Sequence, residues 1–134
     1  MISTLSIVTI IVDDQDEAHA FYTDQLGFET RSDETVGPGT RWLTVAPPDQ
    51  SEVEILLQEP DPDQHGQKAA EEMRKQVGKN PVWSFQTEDL EATYEELRNE
   101  GITFVSEPTN RPYGKEAVFV DLYGNRFSLL ETAG

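Results

Sequence analysis

Few side chains in this sequence could carry chemistry. Glu54 lies in the run Val53 to Gln58, whose apolar and β-branched character predicts a strand. A carboxyl group desolvated on a sheet face has its charged form disfavoured, which would fit it for general acid or base work. The other reading is an edge-facing acid on a very acidic protein. No serine–histidine or paired-carboxylate arrangement accompanies Glu54, so no mechanism can be written from it. His19 falls in a helix two residues before Phe21, where a solvated face is the simpler reading, and His65 falls in a polar linker. The chain has no cysteine, which removes disulfides, thiolate zinc sites and cysteine nucleophiles. Arg111 could offer a cation to an anionic ligand, and Tyr113-Gly114-Lys115-Glu116 could form a loop at a site's rim. Both also read as solvent-facing.

The elements that must position these groups repeat. Leu5 to Val12 is a strand, Asp13 and Asp14 can cap a helix, and Ala18, Phe21, Tyr22 and Leu26 fall on one face of that helix before Gly27 ends it. Strands follow at Phe28 to Ser32, Arg41 to Ala46 and Val53 to Gln58, with turns at Gly37-Pro38-Gly39 and Pro47-Pro48-Asp49. Pro60 to Asp63 reads as a loop and Gln67 to Val77 as a polar helical connector. The pattern then restarts: a strand at Val82 to Thr87, a helix at Leu90 to Glu100 ended by Gly101, and strands at Ile102 to Val105, Glu116 to Asp121 and Arg126 to Leu130. Asp14 to Ala18 aligns with Glu88 to Ala92, Gly27 with Gly101, and Glu54 with Ser128. The prediction is one α+β domain over residues 1–134, with repeat 1 at about 1–58, a linker at 59–80 and repeat 2 at about 81–134. Two curled sheets side by side make a cup, and ligands favour concave sites between repeated units.

Val12-Asp13-Asp14, the helix end Phe21-Tyr22-Thr23-Asp24-Gln25-Leu26-Gly27-Phe28 and the late Phe119-Val120-Asp121-Leu122-Tyr123-Gly124-Asn125 together resemble the vicinal-oxygen-chelate superfamily of glyoxalase-like, bleomycin-resistance-like and dioxygenase-like proteins. The resemblance implies two βαβββ repeats forming a cup-shaped mixed sheet. It also implies a place for a divalent metal, held in metal-dependent members by His, Glu or Gln from both halves, where the ion activates substrate oxygens or dioxygen. Carried over residue by residue, those places fall on Ile7, Glu54 (with Glu52 as the neighbouring alternative), Val82 and Ser128. Two are alkyl and one is a neutral hydroxyl, and a single carboxylate does not hold a divalent ion against water. The expectation is therefore no metal and no cofactor, with the cup binding an uncharged or weakly basic organic molecule that could stack on an aromatic ring. Strand alternation nominates Ile7, Thr9, Ile11, Glu54 and Leu56 in the first half, and Val82, Ser84, Gln86, Ser128 and Leu130 in the second, with Trp42 and Phe119 on strands of the same sheets. The alternative is an enzyme of the same superfamily: a lyase, isomerase or dioxygenase with atypical ligands, or metal-free catalysis through Glu54.

Charge narrows the partners. Twenty-six Asp and Glu against ten Lys and Arg give a net charge of −16, which repels nucleic acid and anionic lipid. The acids are dispersed, as expected of a salt-adapted surface, although a decoy for a basic protein would share the composition. No run approaches a membrane span and the N-terminus lacks the marks of a signal peptide, so the expected setting is the cytoplasm. The expected working state is a homodimer with a small-molecule partner.

Overall fold

The computed structural model describes residues 1–132. They fall into two compact units, Met1–Gly78 and Lys79 onward. The first contains β1 (Ile7–Ile11), α1 (Gln15–Ala20) running into a π turn over Phe21–Gln25, β2 (Glu29–Val36), β3 (Thr40–Ala46) and β4 (Glu54–Gln58), followed by the short helices α2 (Pro62–His65) and α3 (Gln67–Arg74). The second contains β5 (Trp83–Gln86), α4 (Leu90–Asn99), β6 (Thr103–Arg111), β7 (Gly114–Val120) and β8 (Arg126–Thr132). Each unit is a four-stranded mixed sheet, ordered β1-β4-β3-β2 and β5-β8-β7-β6. The first strand runs parallel to the last, and the other pairs are antiparallel. This is the α+β, twofold βαβββ arrangement expected from the sequence. Among the described residues no helix is long and apolar enough to cross a membrane.

The two main helices start by the same chemistry. Asp14 accepts from the Glu17 amide at 3.0 Å, and Asp89 accepts from the Ala92 amide at 3.1 Å. A second carboxylate, from beyond or within the last strand, takes the first helical N–H of each: Glu59 from Gln15 at 2.9 Å, and Glu131 from Leu90 at 2.8 Å. Unpaired amides and the positive end of the helix dipole both favour a carboxylate there. Gly27 and Gly101 follow the helical segments with φ of +83° and +91°, which a side chain would resist.

Alternation decides what each sheet buries. In the first unit Ile10, Leu43, Val45, Ile55 and Leu57 point to the face covered by α1, with Ala18, and the π turn, with Tyr22, and all are buried. In the second unit that face is aromatic: Tyr94 of α4 meets Phe104 edge-on at 4.6 Å, and Phe104, Phe119, Phe127 and Phe85 continue the cluster at centroid spacings of 5.5–6.4 Å.

Some boundaries differ from the sequence reading. Residues 62–65 form a turn of helix where a loop was expected, because Asp61 caps it and Pro62 occupies its first position, where a missing N–H costs nothing. β6 runs on to Arg111, pairing with β7 through a tight turn at Pro112-Tyr113, and Pro108 sits in a register shift where its lost donor is tolerated. Gly114 to Glu116 therefore belong to β7, and only Tyr113 of the expected rim loop lies in the turn.

Candidate functional site

In the first unit the parallel register pairs Ile7 with Glu54, Thr9 with Leu56 and Ile11 with Gln58. Thr44 lies opposite Leu56 on β3, so Trp42, two residues away, shares that face. Ile7, Thr9, Trp42, Glu54 and Leu56 thus stand together on the sheet face away from α1. Glu54 is half-buried, and the fully buried Thr44 hydroxyl donates to its carboxylate at 2.6 Å. Glu52, the neighbouring alternative, precedes β4 and is exposed.

A pocket of about 270 Å³ opens at one end of this face. Trp42 and Leu56 supply its apolar wall, and Gln15, Gln58, Glu59 and Asp61 its polar one. Arg41 also borders it, but its guanidinium is engaged elsewhere: Nε and Nη2 donate to both oxygens of Asp33 at 2.9 and 3.0 Å, and Nη1 donates to Asp16 at 2.7 Å. Those hydrogen bonds, first to Asp33 and then to Asp16, hold the Arg41 proton still more firmly than usual. The same Arg41 hydrogen bond keeps the Asp33 carboxyl below its ordinary value. The fork ties the first turn of α1 to the β2–β3 hairpin and so fixes the pocket's back wall.

In the second unit Ser84 pairs with Ser128 and Gln86 with Leu130. Across β7 and β8, Val118 pairs with Ser128 and Glu116 with Leu130, so these residues share the face away from α4. The buried Ser128 hydroxyl donates to Glu116 at 2.6 Å, and the Tyr113 phenol donates to the other oxygen of Glu116 at 2.9 Å. That hydrogen bond raises the Tyr113 pKa, because ionisation would set a phenolate against a carboxylate. The units thus carry the same pair reversed, with the acid on β4 and its hydroxyl on β3 in one, and the acid on β7 and its hydroxyl on β8 in the other.

Two nominated residues stand elsewhere. Phe119 points into the aromatic core under α4 and is 1% exposed, because the odd-numbered positions of β7 alternate onto the helix face. Val82 precedes β5 and is 59% exposed. Relative to β1 on β4, β5 is slid along β8 by two residues, which keeps every side chain on its face but moves its partner. Ser84, and not Val82, therefore lies opposite Ser128 as Ile7 lies opposite Glu54. The places corresponding to the family's metal positions are then Ile7 and Glu54 in the first unit and Ser84 and Ser128 in the second. Neither pair fits a divalent ion: the first is an alkyl group and a carboxylate that already accepts from Thr44, and the second is two neutral hydroxyls, one of them already donating to Glu116. Among the described residues no three His, Cys, Asp or Glu side chains converge as a metal site would require. His19 instead bonds the Thr30 hydroxyl at 2.7 Å, and His65 accepts the Asp61 amide at 3.2 Å and meets the Gln58 side-chain amide at 3.1 Å.

The sequence reading missed Gln15, Arg41, Glu59 and Asp61, and named Glu116 only as part of a rim loop and not on the sheet face. Glu116 was recoverable, since alternation along β7 puts it on the Ser128 face. The others meet through contacts between residues as far as 44 apart, which no local pattern encodes.

A sheet pair of this topology, with its ligand-bearing positions on the faces away from the helices, defines the vicinal-oxygen-chelate class. The chain belongs to the Glyoxalase/Bleomycin resistance protein/Dioxygenase superfamily, whose family description matches residues 4–129. It is similar to the crystal structure of UcmS2, with 47% identity and a TM-score of 0.86 over 98% of this chain and 100% of that one. TnmS3, described as an antibiotic binding protein from Streptomyces sp. CB03234, superimposes with a TM-score of 0.75 at 26% identity over 98% of each chain. The uncharacterized protein YurT of Bacillus subtilis (strain 168) is 37% identical over 93% of this chain and 96% of its own length.

Proposed function

We propose that this protein is a metal-independent, homodimeric small-molecule-binding member of the superfamily, acting in the cytoplasm, whose ligand is an organic compound with an aromatic face. The observation that carries the reading is the pocket of the first unit, lined by the Trp42 indole and Leu56 together with amide and carboxylate groups. Such a mixture of apolar surface and a few polar groups suits an organic ligand. The donor set at the family's metal positions supports the metal-free part. The likeness to TnmS3 supports the ligand class, an antibiotic-like organic molecule.

The test is calorimetric titration with a panel of polycyclic aromatic compounds. A saturable binder should emerge, and Trp42→Ala should weaken it about tenfold or more, since losing an aromatic contact costs about 1.5–3 kcal/mol. Absence of any saturable binder, or a Trp42→Ala variant that binds undiminished, would overturn the proposal. An enzyme working through Glu54 is the second reading, favoured by the 2.6 Å hydrogen bond that orients its carboxylate. It requires turnover of a bound compound that is abolished in Glu54→Gln while binding persists.

A further inference from the structure

Gln15 is 8% exposed and lines the pocket of the first unit. Its side-chain amide nitrogen donates to two backbone carbonyls, of Leu57 at 2.8 Å and of Arg41 at 3.3 Å. Those bonds settle which way the amide lies, because the reverse orientation would press its oxygen against two carbonyl oxygens. The carbonyl oxygen of Gln15 has no hydrogen-bond partner among the described residues, on a side chain that lines the pocket.

The neighbouring groups are acceptors too. Glu59 uses one oxygen to accept the Gln15 amide at 2.9 Å, and Asp61 uses one to accept the Asp63 amide at 2.9 Å. Each keeps a second carboxylate oxygen. Arg41, the one cation among the described residues of the lining, is neutralised by Asp16 and Asp33. The lining therefore presents acceptors and two uncompensated negative charges together with an indole, whose face attracts cations.

We infer that this pocket is an ammonium site: Gln15, Glu59 and Asp61 accept the N–H groups of a protonated amine whose aromatic or apolar body lies against Trp42 and Leu56. The inference rests on the small-molecule reading above and narrows its ligand to organic amines. An ammonium has three donors and no acceptor, which matches three acceptor side chains. A neutral alcohol of the same shape would leave the charges unanswered, and a carboxylate would be repelled.

The test compares naphthylmethylamine, protonated at neutral pH, with naphthalenemethanol by calorimetry on the full chain. The amine should bind about tenfold more tightly or better, the scale of a charge-assisted hydrogen bond. Glu59→Gln/Asp61→Asn should bring the two affinities together. Both substitutions keep an oxygen for the Gln15 and Asp63 amides, and asparagine caps a helix as well as aspartate does. Glu71→Gln/Glu72→Gln removes the same charge from exposed positions on α3 outside the pocket, and should leave the tenfold preference intact. Equal binding of amine and alcohol to the unaltered protein would overturn the ammonium site while leaving the small-molecule reading in place. A preference unmoved by Glu59→Gln/Asp61→Asn, or lost equally in Glu71→Gln/Glu72→Gln, would assign it to net charge and also overturn the site. Failure of both compounds to bind would overturn the ammonium site, whereas the small-molecule reading falls only if no compound of the polycyclic panel binds.

Discussion

Replacing Asp121 by alanine should unfold the second unit's β7–β8 turn at a cost of about 4 kcal/mol. Asp121 is 5% exposed and Asn125 1%. One carboxylate oxygen of Asp121 accepts the Tyr123 and Asn125 backbone amides at 2.9 Å each, and the other accepts the Asn125 side-chain amide at 2.8 Å. Asn125 in turn accepts the Asn80 amide at 3.0 Å, tying the turn to the residues that lead into β5. Alanine leaves three donors without an acceptor. A hydrogen bond to a charged group contributes about 1.5–3 kcal/mol, and a stranded buried donor costs about 1–3, so three shared donors sum to about 4 with the partly exposed Tyr123 discounted. That corresponds to a fall in Tm of about 12–16 °C for a chain of this size. Asp121→Asn keeps one acceptor oxygen but turns an NH₂ toward a donor, and should lose about half as much. Urea unfolding followed by circular dichroism would measure both. An Asp121→Ala protein within about 1 kcal/mol of the unaltered one would refute the view that this turn is held by its carboxylate.

The Arg41 fork predicts an acid limb. Asp33 is held below its ordinary value chiefly by the Arg41 hydrogen bond, so its stabilisation is complete above the unfolded value of about 3.9 and is lost as pH falls through the lower folded one. Arg41→Met should therefore cost about 1 kcal/mol or less near neutrality, the scale of exposed pairs, with the difference from the unaltered protein shrinking below about pH 4. A difference independent of pH would contradict this. Tyr113 should ionise above the ordinary tyrosine range because its phenol donates to Glu116. The alkaline absorbance difference between the unaltered protein and Tyr113→Phe should move to lower pH in Glu116→Gln, and no movement would break the link.

The repeat was legible because it is written in local chemistry. Capping aspartates, helix-ending glycines and period-two runs are short-range signals, and they located both βαβββ units and most of the residues on the open face of the first. Phe119 was misplaced because Ala117 to Val120 is apolar at every position in the sequence and gives no alternation of residue type from which to read its direction, although in the fold burial does alternate there. Val82 was misplaced because connectivity conserves loop length while the sheet conserves register, and here the two differ by two residues. The pocket's polar wall was illegible for another reason. Gln15 is chemically unremarkable until β3 and β4 bring the Arg41 and Leu57 carbonyls to its amide, and Glu59 looks like one more surface acid until α1 needs an acceptor.

Ligand binding without a metal is tested by metal analysis of protein purified without chelator or affinity tag, followed by calorimetric titration with the aromatic panel before and after dialysis against EDTA. No stoichiometric ion should be found, and the saturable affinity should be the same in both titrations. One ion per chain, or binding that vanishes after EDTA and returns with a divalent metal, would contradict metal-free binding and return the protein to the metal-dependent members of its superfamily.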